Sequence, residues 1–413
     1  MRDAVLEELV VLDFSRILAG PLATMLLGDY GATVIKVERP GSGDDTRSWT
    51  PPRDADGTAT YFLSVNRNKR SVALDLTLPD QLETARELAG LADVVVENFR
   101  PGVMERLGLG YERLSESAPG LIYCSITGFG TGPGARMPGY DLLVQALGGL
   151  MSITGSPDSE PQKVGVALVD VIAGLFAATG ILAALRHRDT TGEGQLVEVN
   201  LLSAALAALA NQASAYTAAG VIPRRMGNAH PSIAPYELLA TAQGDLVLAV
   251  GNDSQFDSLC RVLGAPELSG DPRFLSNDDR VQNRAELRAE LERRLARAPA
   301  AHWVAPLIEA GVPAGEVNDI EAAFGLATRL GLEPIVEVAD GDGRSVRLPR
   351  NPVRMSATPP RYDAPPPELG ELTIAGAFDL VGRSSASRAS GAAEMEGDAS
   401  VREGGHGHGR RVR

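Results

Sequence analysis

Residues 9–13 (LVVLD) form an unbroken apolar run that ends in an acid, and the residues after it leave few folds open. Ala19, Gly20 and Pro21 begin a helical pattern that continues through Leu22, Met25, Leu26 and Leu27. Gly31 closes it, and 33–37 (TVIKV) reads as a second strand. A strand–helix–strand unit of about 30 residues implies a parallel sheet with a crossover helix. The logic repeats: 71–76 (SVALDL) reads as a strand, 79–92 as a helix, 93–97 (DVVVE) as a buried strand and 121–127 (LIYCSIT) as another. The N-terminal third is therefore expected to be an open α/β domain with ligand groups at the carboxyl ends of its strands.

Beyond it, 139–155 reads as helical with a turn at 154–155. An Ala-rich helical stretch follows, broken by one strand at 195–200 (QLVEVN). The pattern changes to a polar Pro/Gly loop at 221–235, and 245–250 (DLVLAV) opens a smaller domain with helices at 253–263, 280–298 and 300–310. From about Pro334 short extended pieces return. The division expected is a large domain at 1–220, a small α+β domain at 221–330, a segment at 331–381 and a tail at 382–413. The tail holds almost no large apolar residue, so it is expected to be disordered.

Composition excludes some functions. The 39 basic and 53 acidic side chains give a net charge of −14, which speaks against a general nucleic-acid binder. Three of the basic residues are lysines (Lys36, Lys69 and Lys163) and the other 36 are arginines. Cys124 and Cys260 lie far apart and in no metal-ligand spacing, so a reducing compartment, the cytoplasm, is expected. Residues 164–185 carry one charge, Asp170, over a length that would span a bilayer. Gly165, Gly174 and Gly180 divide this stretch, and the buried helix of a soluble α/β protein is the expected reading, with no membrane partner.

Candidate chemistry falls into two groups. Arginines follow the strands repeatedly: Arg16 after the first, Arg39 after the second with Lys36 inside its end, Asn98, Phe99, Arg100 and Arg106 after 93–97, and Arg136 in a Gly/Pro loop after 121–127. Each alone reads as an ordinary surface charge, and only the repeated position after strands brings an anion site level with that reading. Together they suggest a rim whose guanidinium forks bind phosphate. No G-x-G-x-x-G follows the first strand and no G-x-x-x-x-G-K-[ST] occurs, so neither nucleotide fingerprint applies. The second feature is Asp170, an acid in an apolar run. It reads as the N-cap of a helix over 171–185, or as a carboxylate nucleophile in a cleft, and the two are compatible. His230 in a polar loop, and His187 and His302, have no triad context. His406 and His408 form a GHGHG tail, and neither G-x-S-x-G nor H-E-x-x-H occurs.

Taken in order, these stretches resemble the family III CoA-transferases, the formyl-CoA and carnitine CoA-transferase group. The resemblance is carried by VVLDFSRILAGPLATMLLGDYGATVIKVERPGSGDDTR, NRNKRSVALDL, VENFRPGVMERLGLGYE, GYDLLVQALGGLMSITG, VGVALVDVIAGLFAATGILAAL, TGEGQLVEVNLL and GNAHPSIAPYE. It implies a large Rossmann-like open-sheet domain, a small domain and a final segment returning to the large one. It further implies two subunits interlocked as a homodimer, with active sites at the domain interface. Asp170 would attack a donor thioester and pass through an anhydride and an aspartyl-CoA thioester, with CoA or acyl-CoA as substrate, a small carboxylic acid as partner and no permanently bound cofactor. The implied CoA contacts are Leu18, Ala19, Arg39, Leu74, Asn98, Phe99, Arg100, Arg106 and Arg136. Tyr140, His230, Gly251 and Asn252 are the implied substrate or loop positions.

Two rival readings stay open. The related α-methylacyl-CoA racemases need a His in the motif that here reads GYDLL, where this chain has Tyr140, a poor base near neutral pH. A non-catalytic acyl-CoA-binding protein would keep Arg39 and Arg106 without needing Asp170. The run from Gly227 to Phe256 resembles the branch that uses succinyl-CoA with dicarboxylate acceptors, and Arg224 and Arg225 before it read equally as contacts to a distal carboxylate and as surface charges.

Overall fold

The structure, a computed structural model, describes residues 4–341 and 343–383. The expected tail lies outside the described residues from 384 onward, and 382–383 end a helical stretch that starts at 374. The chain divides into two compact units. One comprises the described residues up to 148, 165–210 and those from 333 on; the other comprises 149–164 and 211–332.

The first unit is built on a parallel sheet of six strands: β1 (Val10–Asp13), β2 (Thr33–Glu38), β3 (Lys69–Ala73), β4 (Val94–Glu97), β5 (Ile122–Thr127) and β6 (Gln195–Asn200). Their spatial order is β3-β2-β1-β4-β5-β6. The chain therefore builds outward from β1 in one direction, then returns to β4 and builds outward in the other. That reversal opens a crevice beyond the carboxyl ends of β1 and β4, where doubly wound sheets bind ligands. The strands read as solid apolar runs because both faces are covered: Val10, Leu12, Ile35, Val72 and Val95 pack into one core cluster with Leu88, Leu109 and Tyr123.

Helix α1 (Ala19–Asp29) crosses from β1 to β2 and lies against the long helix Leu168–Thr191. The buried residues of the long helix, including Val169, Ala173, Ala177, Ile181 and Ala184, recur at helical spacing, so a single stripe faces the core. This helix is long and apolar enough to cross a membrane by length and composition, and half of its apolar window is buried within the protein. The last segment packs on the same unit. Asn351 donates to Asp29 at 3.0 Å, and the Leu372 N–H donates to the Ser71 carbonyl at 2.9 Å.

The second unit has a three-stranded antiparallel sheet, β7 (Tyr236–Ala240), β8 (Asp245–Ala249) and β9 (Ala314–Glu316), in that order. Its own core contains Leu246, Leu248, Phe256, Phe274, Leu291 and Leu307. A two-stranded hairpin, β10 (Ile335–Ala339) with β11 (Ser345–Pro349), belongs to the first unit.

Three local expectations change. The strand expected at 71–76 is Lys69–Ala73: it begins two residues earlier because Lys69 and Arg70 pair with Val34 and Ile35 of β2, the buried Lys69 charge being met by Asp13, and it ends where Ala73 pairs with Glu38, the last residue of β2. The helix expected at 139–155 is two short helices, Asp141–Leu147 and Leu150–Ile153, parted at Gly148 and Gly149, where Gly149 has φ of +85°. The helix expected at 280–298 breaks at Asn283 into Asn277–Gln282 and Arg284–Leu295, the first started by a Ser276/Asp279 capping box.

Candidate active site

The crevice floor is made of charge. β1 ends at Asp13, fully buried, which accepts from Lys69 Nζ at 3.0 Å and Thr24 Oγ1 at 2.7 Å, and from Ser15. Burial opposes its ionisation, but Lys69 and then Lys36 outweigh it and hold the Asp13 pKa at about 2. Lys36 is also fully buried. Its ammonium pairs with Asp44 at 3.0 Å and donates to the Ser15 carbonyl at 2.8 Å. Lys36 is therefore no rim cation, as its place at a strand end suggested. It is a fastening beneath the site.

Above this floor lie two adjoining cavities that share Arg16 and Phe99. The first has a volume of about 300 Å³ and is lined by Phe14, Val37, Arg39, Leu74, Thr77, Arg106 and Leu107 among others. It is an apolar slot with exposed guanidinium groups at its edge. The second, about 210 Å³, is lined by Leu18, Ala19, Asn98, Arg100, Tyr140, Asp170 and Leu201 among others. The Arg16 guanidinium stands over the Phe99 ring at 5.3 Å and pairs with the exposed Asp45 at 3.1 Å.

Asp170 is half-buried in the second cavity. The expectation that it caps a helix is corrected. The helix begins at Leu168 after Ala167, which has no capping side chain, so Asp170 is the third helical residue. The cap comes from another element. Asp141 Oδ1 accepts the N–H of Val169 at 2.8 Å and of Asp170 at 3.3 Å, and Asp141 Oδ2 accepts from Gln145 at 2.6 Å. Asp141 thus meets the helix's orphan donors and leaves the Asp170 carboxyl to the cavity. Burial, and second the Asp141 charge, push the Asp170 pKa up to about 7. Its carboxylate is poorly solvated and sits beside a like charge, the state in which such a group is a stronger nucleophile.

Other residues escaped the sequence reading. Tyr61 lies within electrostatic reach of Asp170; its phenol pKa is raised by burial first and then by Asp170 and Asp141. Its ring meets Trp49 edge-on at 5.2 Å. Glu97, at the end of β4, accepts the Phe99 N–H at 2.8 Å, and burial pushes its pKa up to about 7. No local motif marks Tyr61, whose charged neighbours Asp141 and Asp170 lie far along the chain, and although Glu97 bonds to Phe99 two residues on, its burial is set by the packed sheet.

The structure gathers Leu18, Ala19, Arg39, Leu74, Asn98, Phe99, Arg100, Arg106, Tyr140 and Asp170 around the two cavities. The Asn98 side chain is engaged with the protein: it accepts the Arg16 N–H at 2.9 Å and donates to the Arg16 carbonyl at 2.7 Å. Arg136 is exposed and stands outside both linings, beside Met137. His230, Gly251 and Asn252 belong to the second unit. There Asn252 caps the helix Asp253–Val262, and the Gly251 N–H donates to Gln255 at 2.8 Å. Both cysteines are buried, and burial pushes the Cys260 thiol up to about 12.

The model of CoA-transferase family III matches residues 6–373. Succinate–glutarate CoA-transferase of Agrobacterium fabrum is 44% identical over 376 residues, covering 90% of this chain and 94% of that protein. Succinyl-CoA:glutarate CoA-transferase of Mus musculus is 44% identical, covering 89% and 84%. Acetyl-CoA:oxalate CoA-transferase of Acetobacter aceti is 41% identical, covering 88% and 93%. A crystal structure of a CAIB/BAIF family protein from Brucella suis superposes with a TM-score of 0.80 at 44% identity, covering 92% of this chain and 99% of that one. With these relatives and this sheet topology, the chain belongs to CoA-transferase family III and is a CoA-transferase.

Proposed function

We propose that the enzyme moves CoA from succinyl-CoA to a second dicarboxylic acid, with Asp170 as the covalent relay. The observation that carries this reading is the Asp170 carboxyl, held open to the cavity by the Asp141 cap and destabilised as an anion. The mouse relative is named for succinyl-CoA and glutarate, the Agrobacterium relative for succinate and glutarate, and a further one for succinyl-CoA and mesaconate, which supports the substrate class; the Acetobacter relative is named for acetyl-CoA and oxalate, again a dicarboxylate acceptor.

The chemistry balances without an outside energy source. An Asp170 carboxylate oxygen bonds to the donor thioester carbon, the C–S bond breaks, and CoA leaves as thiolate. The thiolate then attacks the Asp170 carbonyl carbon and releases the donor acid as its carboxylate, leaving an aspartyl-CoA thioester. An acceptor carboxylate oxygen attacks the same carbonyl and expels the thiolate, giving a second anhydride. Thiolate attack on the acceptor acyl carbon yields the new thioester and regenerates the Asp170 carboxylate. Oxyanions form at each step. The first backbone N–H groups of α1, at Ala19 and Gly20, are free of helical partners and suit that role.

For CoA, the apolar slot with Leu74 at its wall suits the adenine, and Arg39, Arg100 and Arg106 at the rims suit its phosphates. Leu18, Ala19, Asn98 and Phe99 would line the path of the thiol arm to Asp170. CoA comes and goes as a substrate, and no permanently bound cofactor enters the scheme. Tyr140 lines the Asp170 cavity where a racemase would need an imidazole base, which favours transfer. We also propose an interlocked homodimer in the cytoplasm. Exposed Leu175, Phe176 and Leu182 on the long helix offer an apolar face for the second copy.

The test is incubation with succinyl-CoA and a panel of glutarate, mesaconate, oxalate and monocarboxylates, with mass detection of new thioesters. A dicarboxyl-CoA product from the wild type and none from Asp170→Ala is expected. No thioester across the panel, or deuterium exchange into a 2-methylacyl-CoA without transfer, refutes the reading.

A further inference from the structure

The long helix and α1 approach so closely that a Cβ on Gly174 would stand 2.6 Å from the Ala19 carbonyl oxygen. Asp170 lies four residues, about one turn, before Gly174, so its carboxyl is registered against the backbone that enters α1. That backbone is strained. Ile17 has φ of +73°, a left-handed conformation that is costly for a β-branched side chain. Ile17 lines the Asp170 cavity.

What holds it there is visible beneath. Both carboxylate oxygens of the buried Asp44 accept the Ile17 N–H at 3.2 Å. Asp44 is kept charged by Lys36, and Lys36 also holds the Ser15 carbonyl. Asn98 ties Arg16 by both its N–H and its carbonyl. Ser15, Arg16 and Ile17 are thus each pinned by their main chain. Two of the chain's three lysines, Lys36 and Lys69, are fully buried around this turn, where compact three-donor ammonium groups fit.

We propose that Asp44 is a positioning residue for the transfer reaction: paired with Lys36, it holds Ile17 left-handed and so fixes the Arg16–Ala19 backbone beside Asp170. The inference rests on Asp170 as the relay. Asp44 acts through Ile17, and its loss lets the turn relax and moves the Leu18–Ala19 edge away from the reacting carbonyl.

The test uses Asp44→Asn with and without Ile17→Gly, because glycine adopts the left-handed conformation without a Cβ penalty and no longer needs the clamp. In the wild-type background, Asp44→Asn is expected to lower kcat about tenfold with KM for the CoA donor changed less than about twofold. In the Ile17→Gly background the same substitution is expected to lower kcat by less than about twofold. Equal losses in both backgrounds, an unchanged kcat, or a loss carried by KM alone overturn the proposal. If Asp44→Asn does not fold because Lys36 is left as an orphan charge, the Lys36→Met/Asp44→Asn pair replaces it, with the same outcomes. A wild type that forms no thioester refutes the relay chemistry, whereas an active wild type with a background-independent loss refutes only the role of Asp44.

Discussion

Asp170→Asn tests the electrostatics of the site without any substrate. A carboxyl whose folded-state pKa is raised adds stability below its unfolded pKa, and that stability is lost as pH rises through the folded value. For Asp170 these limits are 3.8 and about 7. Between pH 5 and pH 7 the unfolded chain has released the proton and the folded protein has not. Stability then falls by about 1.36 kcal/mol per pH unit, or about 2.7 kcal/mol over the window. Asp170 is half-buried, and solvent screening reduces this to about 1–2 kcal/mol. The amide does not titrate, so the variant should gain that amount relative to wild type between pH 5 and pH 8.5. Glu97 titrates in the same window but in both proteins, so it cancels in the difference. The chain has two tryptophans, Trp49 in the first unit and Trp303 in the second. Denaturant titration by Trp49 fluorescence in a Trp303→Phe background therefore reports the unit that holds Asp170. A stability difference that stays flat from pH 5 to pH 8.5 would show an ordinary carboxyl and refute the raised pKa.

Further outcomes follow from the same contacts. Asp141→Ala removes the acceptor for two helix N–H groups and should cost about 1 kcal/mol of stability, read by denaturant midpoint. It also removes a like charge, so the acid limb of the kcat/KM pH profile should move to lower pH. Gly174→Ala drives a methyl toward the Ala19 carbonyl and should destabilise by about 1–3 kcal/mol, with a fall in kcat. Lys69→Met leaves Asp13 charged in the core and should cost about 3–5 kcal/mol at pH 7. Since the Asp13 pKa is lowered to about 2, its contribution is present above 3.8 and lost as pH falls toward 2, so this deficit should shrink in acid. Arg106→Ala should raise KM for acyl-CoA by about tenfold with kcat nearly unchanged, since a phosphate contact remote from the thioester binds ground and transition state alike.

Periodicity and strand ends carried much of this into the sequence. Solid apolar runs such as 9–13 and 93–97 fall on β1 and β4, and Arg39, Phe99 and Arg106 do meet beyond the strands because a parallel sheet sends all its carboxyl ends one way. Asp170 was conspicuous as the one charge between Val164 and Leu185. What stayed hidden was pairwise and long-range. Asp141 caps a helix that begins 27 residues later, so no capping box marks it. Lys36 and Lys69 look like surface charges until Asp44 and Asp13 are seen opposite them. The left-handed turn at Ile17 has no glycine to announce it, because the conformation is imposed by Asp44 and not chosen by the residue.

Whether Asp170 is the covalent relay can be read from the path of one oxygen atom. In the relay, the acceptor contributes the bridging oxygen of the second anhydride, and thiolate attack leaves that oxygen on Asp170. With an ¹⁸O-labelled dicarboxylate and succinyl-CoA, mass spectrometry of the peptide that contains Asp170 should show one label per turnover, and succinate released in later turnovers should carry it away. A new thioester formed with no label in that peptide, or formed undiminished by Asp170→Ala, would rule out Asp170 as the relay.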